Sequence, residues 1–427
     1  MASRPLSFLR SARVFLLPLG VAVATSVTSV ARADAEMVPY EPASSEAIVS
    51  LSVEPTRSGD FAVLMLGARG SAFVSVRGPS GVVVPPTAIS ATSSTSALAT
   101  VPARDRGDVH VALLGYGGEL RSFVADLSGG AFREAEGTSR TSSYGNAGRL
   151  SMAYTDRPVV GVSTATKLAL GDVFGPLATV ERPSAAGPSV LGSVGGEAYV
   201  LTPASSGATV QHVAADGRSL DGATRVPSSG GTPSDVRLVP LGKGALAAFW
   251  PANRETSSVT IVPLTVSSSA ALEPAAGSRM LPAGAVGLVA DPDAPLGPDA
   301  KILRLEGGRL TEASWNAEAK AGASEATNTV ASATGVGAVE GACSAKGCLY
   351  AFADDLGVRT VYTPREGAAT EVRLSMPVTG GRTGGGSELS YSGCSQAPGG
   401  SRSSTVAGAL GLGLAFAAAR RRRTASR

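Results

Sequence analysis

The stretch FAVLMLGARGSAFVSV, residues 61–76, consists of two apolar runs separated by Gly-Ala-Arg-Gly. Apolar runs of strand length that are bounded by glycines are typical of two antiparallel strands joined by a turn. The same arrangement returns in VHVALLGYGGELRSFVADL, residues 109–127, where GYGG takes the place of the turn. The sequence therefore predicts β-hairpins, and not helices, as the repeating structural unit.

Similar runs continue through the body of the chain, at residues 197–213, 236–250, 259–266, 300–315 and 346–364. No stretch carries a long apolar face at helical spacing. The hairpin centres lie roughly 40 to 55 residues apart, which is the period of four-stranded propeller blades, each needing neighbours to bury its faces. We predict an all-β body over residues 45–376, with propeller-like antiparallel repeats and about seven blades; a β-sandwich is the alternative.

One segment within the body departs from this pattern. Residues 316–333, NAEAKAGASEATNTVASA, favour a helix by composition but lack an apolar stripe. A helix without an apolar face has nothing to pack against the rest of the protein. We predict a loop there.

The charge distribution argues against a nucleic-acid partner. The 427-residue chain has a formal net charge of +3, but residues 1–35 hold four arginines and one aspartate, and residues 402–427 hold six arginines and no acid. The remaining body carries 27 basic and 33 acidic residues and is mildly acidic. Such a body has no excess of cations with which to neutralise phosphates, so we predict no nucleic-acid binding.

The N-terminus has the order of an export signal. Residues 1–13 carry three arginines, an uncharged apolar core follows, and Ala33 and Ala35 occupy the small-residue positions that signal peptidase requires. We predict a signal peptide over residues 1–35 that is cleaved after Ala35, with cleavage after Ala33 as the second choice. An uncut membrane anchor is the alternative interpretation.

Two of the three cysteines are predicted to pair. Cys343 and Cys348 lie in GACSAKGCLYAF, with Lys-Gly directly before the second cysteine. A hairpin at this turn would bring the two Cα atoms within disulfide distance, and disulfides are usual in exported proteins. Free thiols and a metal site are the alternatives, although one cysteine pair does not complete a zinc site.

The C-terminus combines a cysteine with a possible membrane segment. Residues 377–403 form a Gly/Ser-rich linker that contains Gly393 and Cys394, and residues 404–419 are uncharged and apolar. Four consecutive arginines, Arg420, Arg421, Arg422 and Arg423, follow directly. Arginine clusters remain on the cytoplasmic side of a membrane, so residues 404–427 are predicted to be a short transmembrane helix with a stop signal, which leaves the body outside. An ordinary buried helix or a disordered tail is the alternative.

This tail resembles the MYXO-CTERM sorting signal of myxobacteria. The resemblance covers about thirty residues and rests on the Gly-Cys-Ser sequence, the spacer, the small-residue helix and the arginine cluster. It implies that Cys394 is the signature cysteine with Gly393 as its neighbour. It also implies processing by a myxosortase-like membrane protease and delivery to the cell surface.

No group of residues in the sequence forms a recognisable catalytic motif. His110 and His212, the only two histidines, each lie in an apolar strand pattern, and no Gly-x-Ser-x-Gly sequence is present. Asp354 and Asp355 are predicted to lie in a turn. A further acidic segment, DPDAPLGPDA at residues 291–300, could offer carboxylates to calcium but lacks the EF-hand spacing.

The sequence therefore predicts an exported, surface-displayed, non-enzymatic β protein with a binding, adhesion or scaffold role. It predicts no cofactor and no metal. The predicted partners are signal peptidase, the membrane protease, the membrane itself and a surface ligand whose chemistry the sequence does not specify. A surface hydrolase or lyase on a propeller is the alternative, and a group of carboxylates near the propeller axis would favour it.

Overall fold

The structure is a computed structural model that describes residues 47–376, except for residues 90–94, 105–106, 142–148, 182–184, 186, 230, 252–257, 282, 295–298, 316–326, 334–335 and 355–356. The predicted signal peptide, with Ala33 and Ala35, lies outside the described residues. So do the linker with Gly393 and Cys394 and the tail with its arginine cluster. Within the described part of the chain, no helix has the length and apolar character needed to span a bilayer.

Seven antiparallel sheets, each formed by consecutive strands, make up the body, and each sheet is one blade. The first strands of the blades are β1 (Ile48–Pro55), β5 (Thr95–Pro102), β9 (Arg149–Tyr154), β13 (Val190–Val194), β17 (Asp235–Leu241), β22 (Ala285–Asp291) and β26 (Ala338–Ser344). The second strands are β2 (Phe61–Gly67), β6 (Val109–Gly115), β10 (Pro158–Ser163), β14 (Glu197–Ala204), β18 (Gly244–Trp250), β23 (Asp299–Glu306) and β27 (Gly347–Asp354).

The outer half of each blade completes the sheet. The third strands are β3 (Ala72–Gly78), β7 (Glu119–Asp126), β11 (Leu168–Asp172), β15 (Gly207–Val213), β19 (Val259–Val266), β24 (Arg309–Trp315) and β28 (Gly357–Pro364). The fourth strands are β4 (Gly81–Ile89), β8 (Arg133–Thr141), β12 (Ala178–Val180), β16 (Leu220–Pro227), β20 (Leu272–Pro274), β25 (Thr327–Ser332) and β29 (Thr370–Leu374). A short strand, β21 (Arg279–Leu281), also pairs with β19, and one 3-10 turn is described at Ser128–Gly130.

The blades are arranged in a closed ring. The first strand of every blade packs against the first strands of its two neighbours, and β26 of the seventh blade contacts β1 of the first. The first strands therefore surround a central axis, and the fourth strands lie at the periphery. This confirms the predicted propeller and excludes the β-sandwich.

Hydrophobic packing between the blades forms the core. The described residues form seven buried apolar clusters, and each lies between two adjacent blades. The second strands are covered on both sides, which is why FAVLMLG and VHVALLG are buried along their whole length and read as continuous runs and not as alternating patterns. The fourth strands are mostly exposed and are correspondingly more polar.

The ring is closed by packing between the seventh and the first blade, without an exchanged strand. Phe61 of β2 lies 6.1 Å from the ring of Tyr362 in β28, within the apolar cluster that these two blades share. The buried Arg77 guanidinium donates to the Thr370 hydroxyl across the same interface at 3.0 Å. Burying a Phe side chain contributes roughly 1.5–3 kcal/mol, so these apolar contacts are the main force that closes the ring.

The strand order gives the propeller two distinct faces. Because the first four strands of each blade form an antiparallel meander, the turns that join first to second strands and third to fourth strands all lie on one face. We call this the turn face. The chain enters β1 and leaves β29 on the opposite face, which we call the chain-end face.

The predicted loop over residues 316–333 is wrong for its last part. Thr327–Ser332 form β25, which pairs with β24 as the outer strand of the sixth blade. An outer strand has only one neighbour in its sheet and faces solvent, so it needs no apolar stripe. Polarity was therefore a misleading indicator of a loop.

Candidate functional site

Charged side chains gather on the first strands, around the propeller axis. These residues are Glu54 of β1, Arg149 of β9, Asp235 and Arg237 of β17, and Glu340 of β26. They alternate with buried apolar residues; in β17, for example, Val236 and Leu238 are buried between the blades while their neighbours are half-buried. The period of two along each strand separates residues that hold the blades together from residues that face the axis.

Two ion pairs join blades that are not neighbours in the ring. Arg149 of the third blade pairs with Asp235 of the fifth, and Arg237 of the fifth pairs with Glu340 of the seventh at 2.6 Å. The fourth and sixth blades lie between the partners, so these side chains can meet only near the axis. We call the five charged residues the axial cluster.

Glu54 is the member of the axial cluster that has no cationic partner among the described residues. Its carboxylate accepts a hydrogen bond from the Thr100 hydroxyl at 2.8 Å, and that hydroxyl lies 2.5 Å from the hydroxyl of Ser52. The pKa of Glu54 is raised to about 7, chiefly by burial. The hydrogen bond from Thr100 opposes this increase, and the negative charge of Glu340 adds to it. Near neutral pH, Glu54 is therefore present in both protonated and ionised forms.

The arginine in the middle of the axial cluster stays charged. Burial alone would lower the pKa of Arg237, but the negative charges of Glu340 and Asp235 outweigh burial and raise it. The side chains of the two ion pairs are only 13–29% exposed, so the cost of removing the charges from water offsets much of their attraction. Polar groups of this kind can bind a polar ligand or exchange a proton with one.

A cleft opens on the turn face between the first and second blades. It is lined by the β1–β2 turn, by Gly107 and Asp108, and by residues 126–130, and its volume is about 450 Å³. The buried carboxylate of Asp108 shapes it by accepting hydrogen bonds from the backbone N–H groups of Arg57, at 3.1 Å, and Leu127, at 2.8 Å. The cleft and the end of β1 that carries Glu54 thus lie on the same side of the propeller.

The predicted disulfide is confirmed. Cys343 and Cys348 are bonded and lie directly opposite each other in the β26–β27 hairpin, where Ala345 and Lys346 form the turn. Of the predicted turn at Asp354 and Asp355, Asp355 lies outside the described residues, and Asp354 is the last residue of β27, where it pairs with Gly357 of β28. The Asp354 side chain forms an ion pair with Arg359.

The acidic segment at residues 291–300 is occupied by protein cations. Asp291 is fully buried and accepts hydrogen bonds from both terminal nitrogens of the Arg365 guanidinium, at 2.6 and 2.5 Å. The Lys301 ammonium lies 3.7 Å from the carboxylates of both Asp291 and Asp299. Arg365 and Lys301 thus neutralise these carboxylates in the folded protein.

Both histidines lie on strands, as predicted. His110 is buried in β6, with its ring 6.0 Å from that of Tyr154 and 5.9 Å from that of Phe174. His212 lies on β15 and contacts Glu197 at 3.0 Å, away from the first strands.

The axial cluster was not predicted from the sequence. Its members lie on four strands whose positions in the chain span almost the whole body, so spacing cannot bring them together. A signal was nevertheless present, because DVRLVPL and RLSMAY place charged residues in short apolar strands at the positions where a blade begins. A charge at the start of a first strand is thus a useful indicator of residues that meet at a propeller axis.

Comparison with known proteins does not assign the chain to a family. No family model matches it, and no curated protein matches it. Among solved structures, one described as "Streptogramin B lyase structure" is 13% identical, with a TM-score of 0.43, and the match covers 67% of this chain and 86% of that chain. A protein of unknown function from Bacteroides caccae is 14% identical, with a TM-score of 0.38, and the match covers 55% of this chain and 81% of that one. Neither similarity supports a conclusion about the activity of this protein.

Proposed function

We propose that this protein is an exported, non-enzymatic propeller that is displayed at the cell surface and binds a polar ligand near its axis. The observation that carries the binding role is Glu54, a carboxyl group on the first strand of the first blade that the described residues leave without a cation. Enclosed polar groups with incomplete partners are what a binding site offers to a ligand. A purely structural propeller would gain more stability from apolar residues at these positions.

The route to the surface is the signal peptide followed by the sorting tail. Export places the body outside, the uncharged segment at residues 404–419 stalls in the membrane, and Arg420–Arg423 stay on the inner side. A myxosortase-like protease then processes the tail at the linker that contains Cys394. Whether the new end also carries a lipid is decided by the mass of the mature protein.

The topology of the body supports this arrangement. The last described strand, β29, ends on the chain-end face, and the linker follows it in the sequence. The cleft between the first and second blades lies on the turn face. The tether therefore joins the propeller on the face opposite the cleft.

Surface display is tested by expressing wild type and Cys394→Ala in the native host. We expect wild type to lose a C-terminal fragment, seen by intact-mass analysis, and to be labelled on whole cells by a membrane-impermeant amine reagent. The variant should keep its tail or appear in the medium. Equal mass and equal surface labelling of the two proteins would refute the role given to Cys394.

Ligand binding is tested on arrays of defined oligosaccharides and peptides. We expect wild type to bind at least one class of ligand, and both Glu54→Gln and Arg237→Met to lose that signal. Glu371→Gln is the matched control, because Glu371 is a half-exposed acid in β29 that pairs with Arg359 at the edge of the seventh blade. If the Glu54 and Arg237 variants bind like the control, the axial cluster is not the site.

A surface hydrolase or lyase is the second candidate, and one observation favours it. Glu54, with a pKa of about 7, lies close enough to Glu340 for the two negative charges to interact. A carboxyl group whose pKa lies near neutral pH is suited to general acid–base catalysis. Turnover of chromogenic glycosides or esters by wild type, and its loss in Glu54→Gln, would replace the binding role with an enzymatic one.

A further inference from the structure

Three side chains with metal-binding atoms meet between the sixth and seventh blades. One carboxylate oxygen of Asp291 and the sulfur atoms of Cys343 and Cys348 all lie within 4.8 Å of one another, and all three residues are buried. The Cys348 sulfur is 3.9 Å from Oδ2 of Asp291. Asp291 is the last residue of β22, so it is brought to the hairpin by the packing of the two blades and not by the hairpin itself.

In the oxidised protein these atoms do not form a metal site, because the two sulfurs are bonded to each other. Reduction by a phosphine changes this. The disulfide takes up two electrons and two protons and becomes two thiols, while the phosphine gains an oxygen atom from water and becomes a phosphine oxide. Binding of a divalent cation then displaces up to two protons from the thiols, since thiolates are the metal ligands.

The geometry of the reduced hairpin suits a tetrahedral cation. With Zn–S bonds of about 2.3 Å, two sulfur ligands lie about 3.8 Å apart along an edge of the tetrahedron. Cys343 and Cys348 are directly opposite in register, with Cα atoms 4.0 Å apart, so their sulfurs can reach that separation by side-chain rotation. The 3.9 Å between the Cys348 sulfur and Asp291 is already close to such an edge.

The charges around Cys343, Cys348 and Asp291 are also compatible with a bound divalent cation. Two thiolates and a carboxylate carry one more negative charge than a divalent cation neutralises. The Arg365 guanidinium, 2.6 Å from Asp291, and the Lys301 ammonium, 3.7 Å away, supply compensating positive charge. A carboxylate has about four lone-pair positions, and the bonds to Arg365 occupy two of them, which leaves positions for a metal.

We propose that reduction of the disulfide opens a site for a thiophilic divalent cation such as Zn²⁺, with Cys343, Cys348 and Asp291 as its protein ligands. The fourth position is left to water or to an external ligand. Oxidation closes the site, so the protein holds this metal only when the hairpin is reduced. Thiolate ligands select zinc-like cations over calcium or magnesium, which prefer oxygen.

The experiment uses the purified full chain with Cys394→Ala, so that the third thiol does not bind metal. The protein is reduced with a phosphine, freed of reductant without exposure to air, and titrated with Co²⁺. Tetrahedral Co²⁺ with thiolate ligands gives both a visible absorption and a sulfur-to-metal charge-transfer band. We expect about one equivalent to bind to the reduced protein, with both bands, and none to the oxidised protein.

Variants identify the ligands. Cys343→Ser together with Cys348→Ser should abolish both bands, and Asp291→Asn should weaken Co²⁺ binding by about tenfold or more. Asp299→Asn is the matched control, because Asp299 also lies 3.7 Å from Lys301 but is not in the donor group, and it should bind like the parent. Reduced protein with two titratable thiols and no Co²⁺ bands would overturn the proposal, as would equal affinities of the Asp291 and Asp299 variants.

Discussion

Replacing Glu54 with Gln should make the stability of the protein less dependent on pH. The amide has nearly the same shape as the carboxyl group but cannot ionise, so the change removes one proton-binding site and little packing. In the folded protein the pKa of Glu54 is raised from 4.5 to about 7, chiefly by burial. The variant therefore isolates the free-energy cost of an ionised carboxylate at the axis.

The sign follows from comparing the folded and unfolded chains. Below pH 4.5 the carboxyl group is protonated in both states and has no differential effect. Between pH 4.5 and about 7 the unfolded chain loses the proton while the folded protein keeps it, so the free energy of unfolding decreases as the pH rises. Above about pH 7 both states are ionised and the loss is complete.

The magnitude comes from the same shift. A pKa raised from 4.5 to about 7 corresponds to roughly 3 kcal/mol, at about 1.4 kcal/mol for each tenfold change in proton affinity. Part of Glu54 remains in contact with water, which reduces the effect, and we expect about 1–2 kcal/mol in practice. Relative to wild type, Glu54→Gln should gain this amount of stability between about pH 4.5 and about pH 8.

Urea unfolding of both proteins at several pH values across this range measures the difference directly. Titrating groups that do not interact with Glu54 affect both proteins alike and cancel in the comparison; Glu340 interacts with it, but its charge is the smallest of the influences on the pKa of Glu54. Glu371→Gln is the control, since it removes an acid of the outermost strand, and it should gain no stability as the pH rises. The environment assigned to Glu54 would be refuted if the difference in free energy of unfolding between variant and wild type stayed constant with pH. It would also be refuted if wild type became more stable relative to the variant as the pH rose.

Three further experiments test the disulfide, the backbone conformation at two glycines and the membrane stop signal. Thiol-specific labelling of the purified protein without reductant should modify neither hairpin cysteine, and rapid labelling would contradict the disulfide. Gly207→Ala should destabilise the protein by about 2–4 kcal/mol, because Gly207 has a positive φ and an added Cβ would lie 2.1 Å from the Val226 carbonyl oxygen. Gly222→Ala, where φ is also positive but no atom lies within 4 Å, should cost only about 1 kcal/mol in the same denaturation assay. Neutral replacement of Arg420–Arg423 should weaken membrane retention, and protease-protection mapping that finds an unchanged topology would contradict the stop signal.

Glycines with positive φ recur at a regular spacing around the second strands of several blades. Gly59 and Gly70 bracket the second strand of the first blade, and Gly107 and Gly118 bracket that of the second, at the same spacing and all with positive φ. The fourth and seventh blades carry similar glycine pairs around their second strands. Left-handed turn positions favour glycine whatever the neighbouring side chains are, so this spacing marks a blade where no conserved side chain does.

The local sequence determined where the strands and turns lie, because strand periodicity and turn conformation depend on residues that are close together in the chain. For the same reason it determined the Cys343–Cys348 pairing, which needs only a hairpin. The tertiary structure alone decided which charges meet. Arg149 and Asp235, or Arg237 and Glu340, come together because seven blades close into a ring, and their encounter depends on the number and angle of the blades, which no short stretch of sequence specifies.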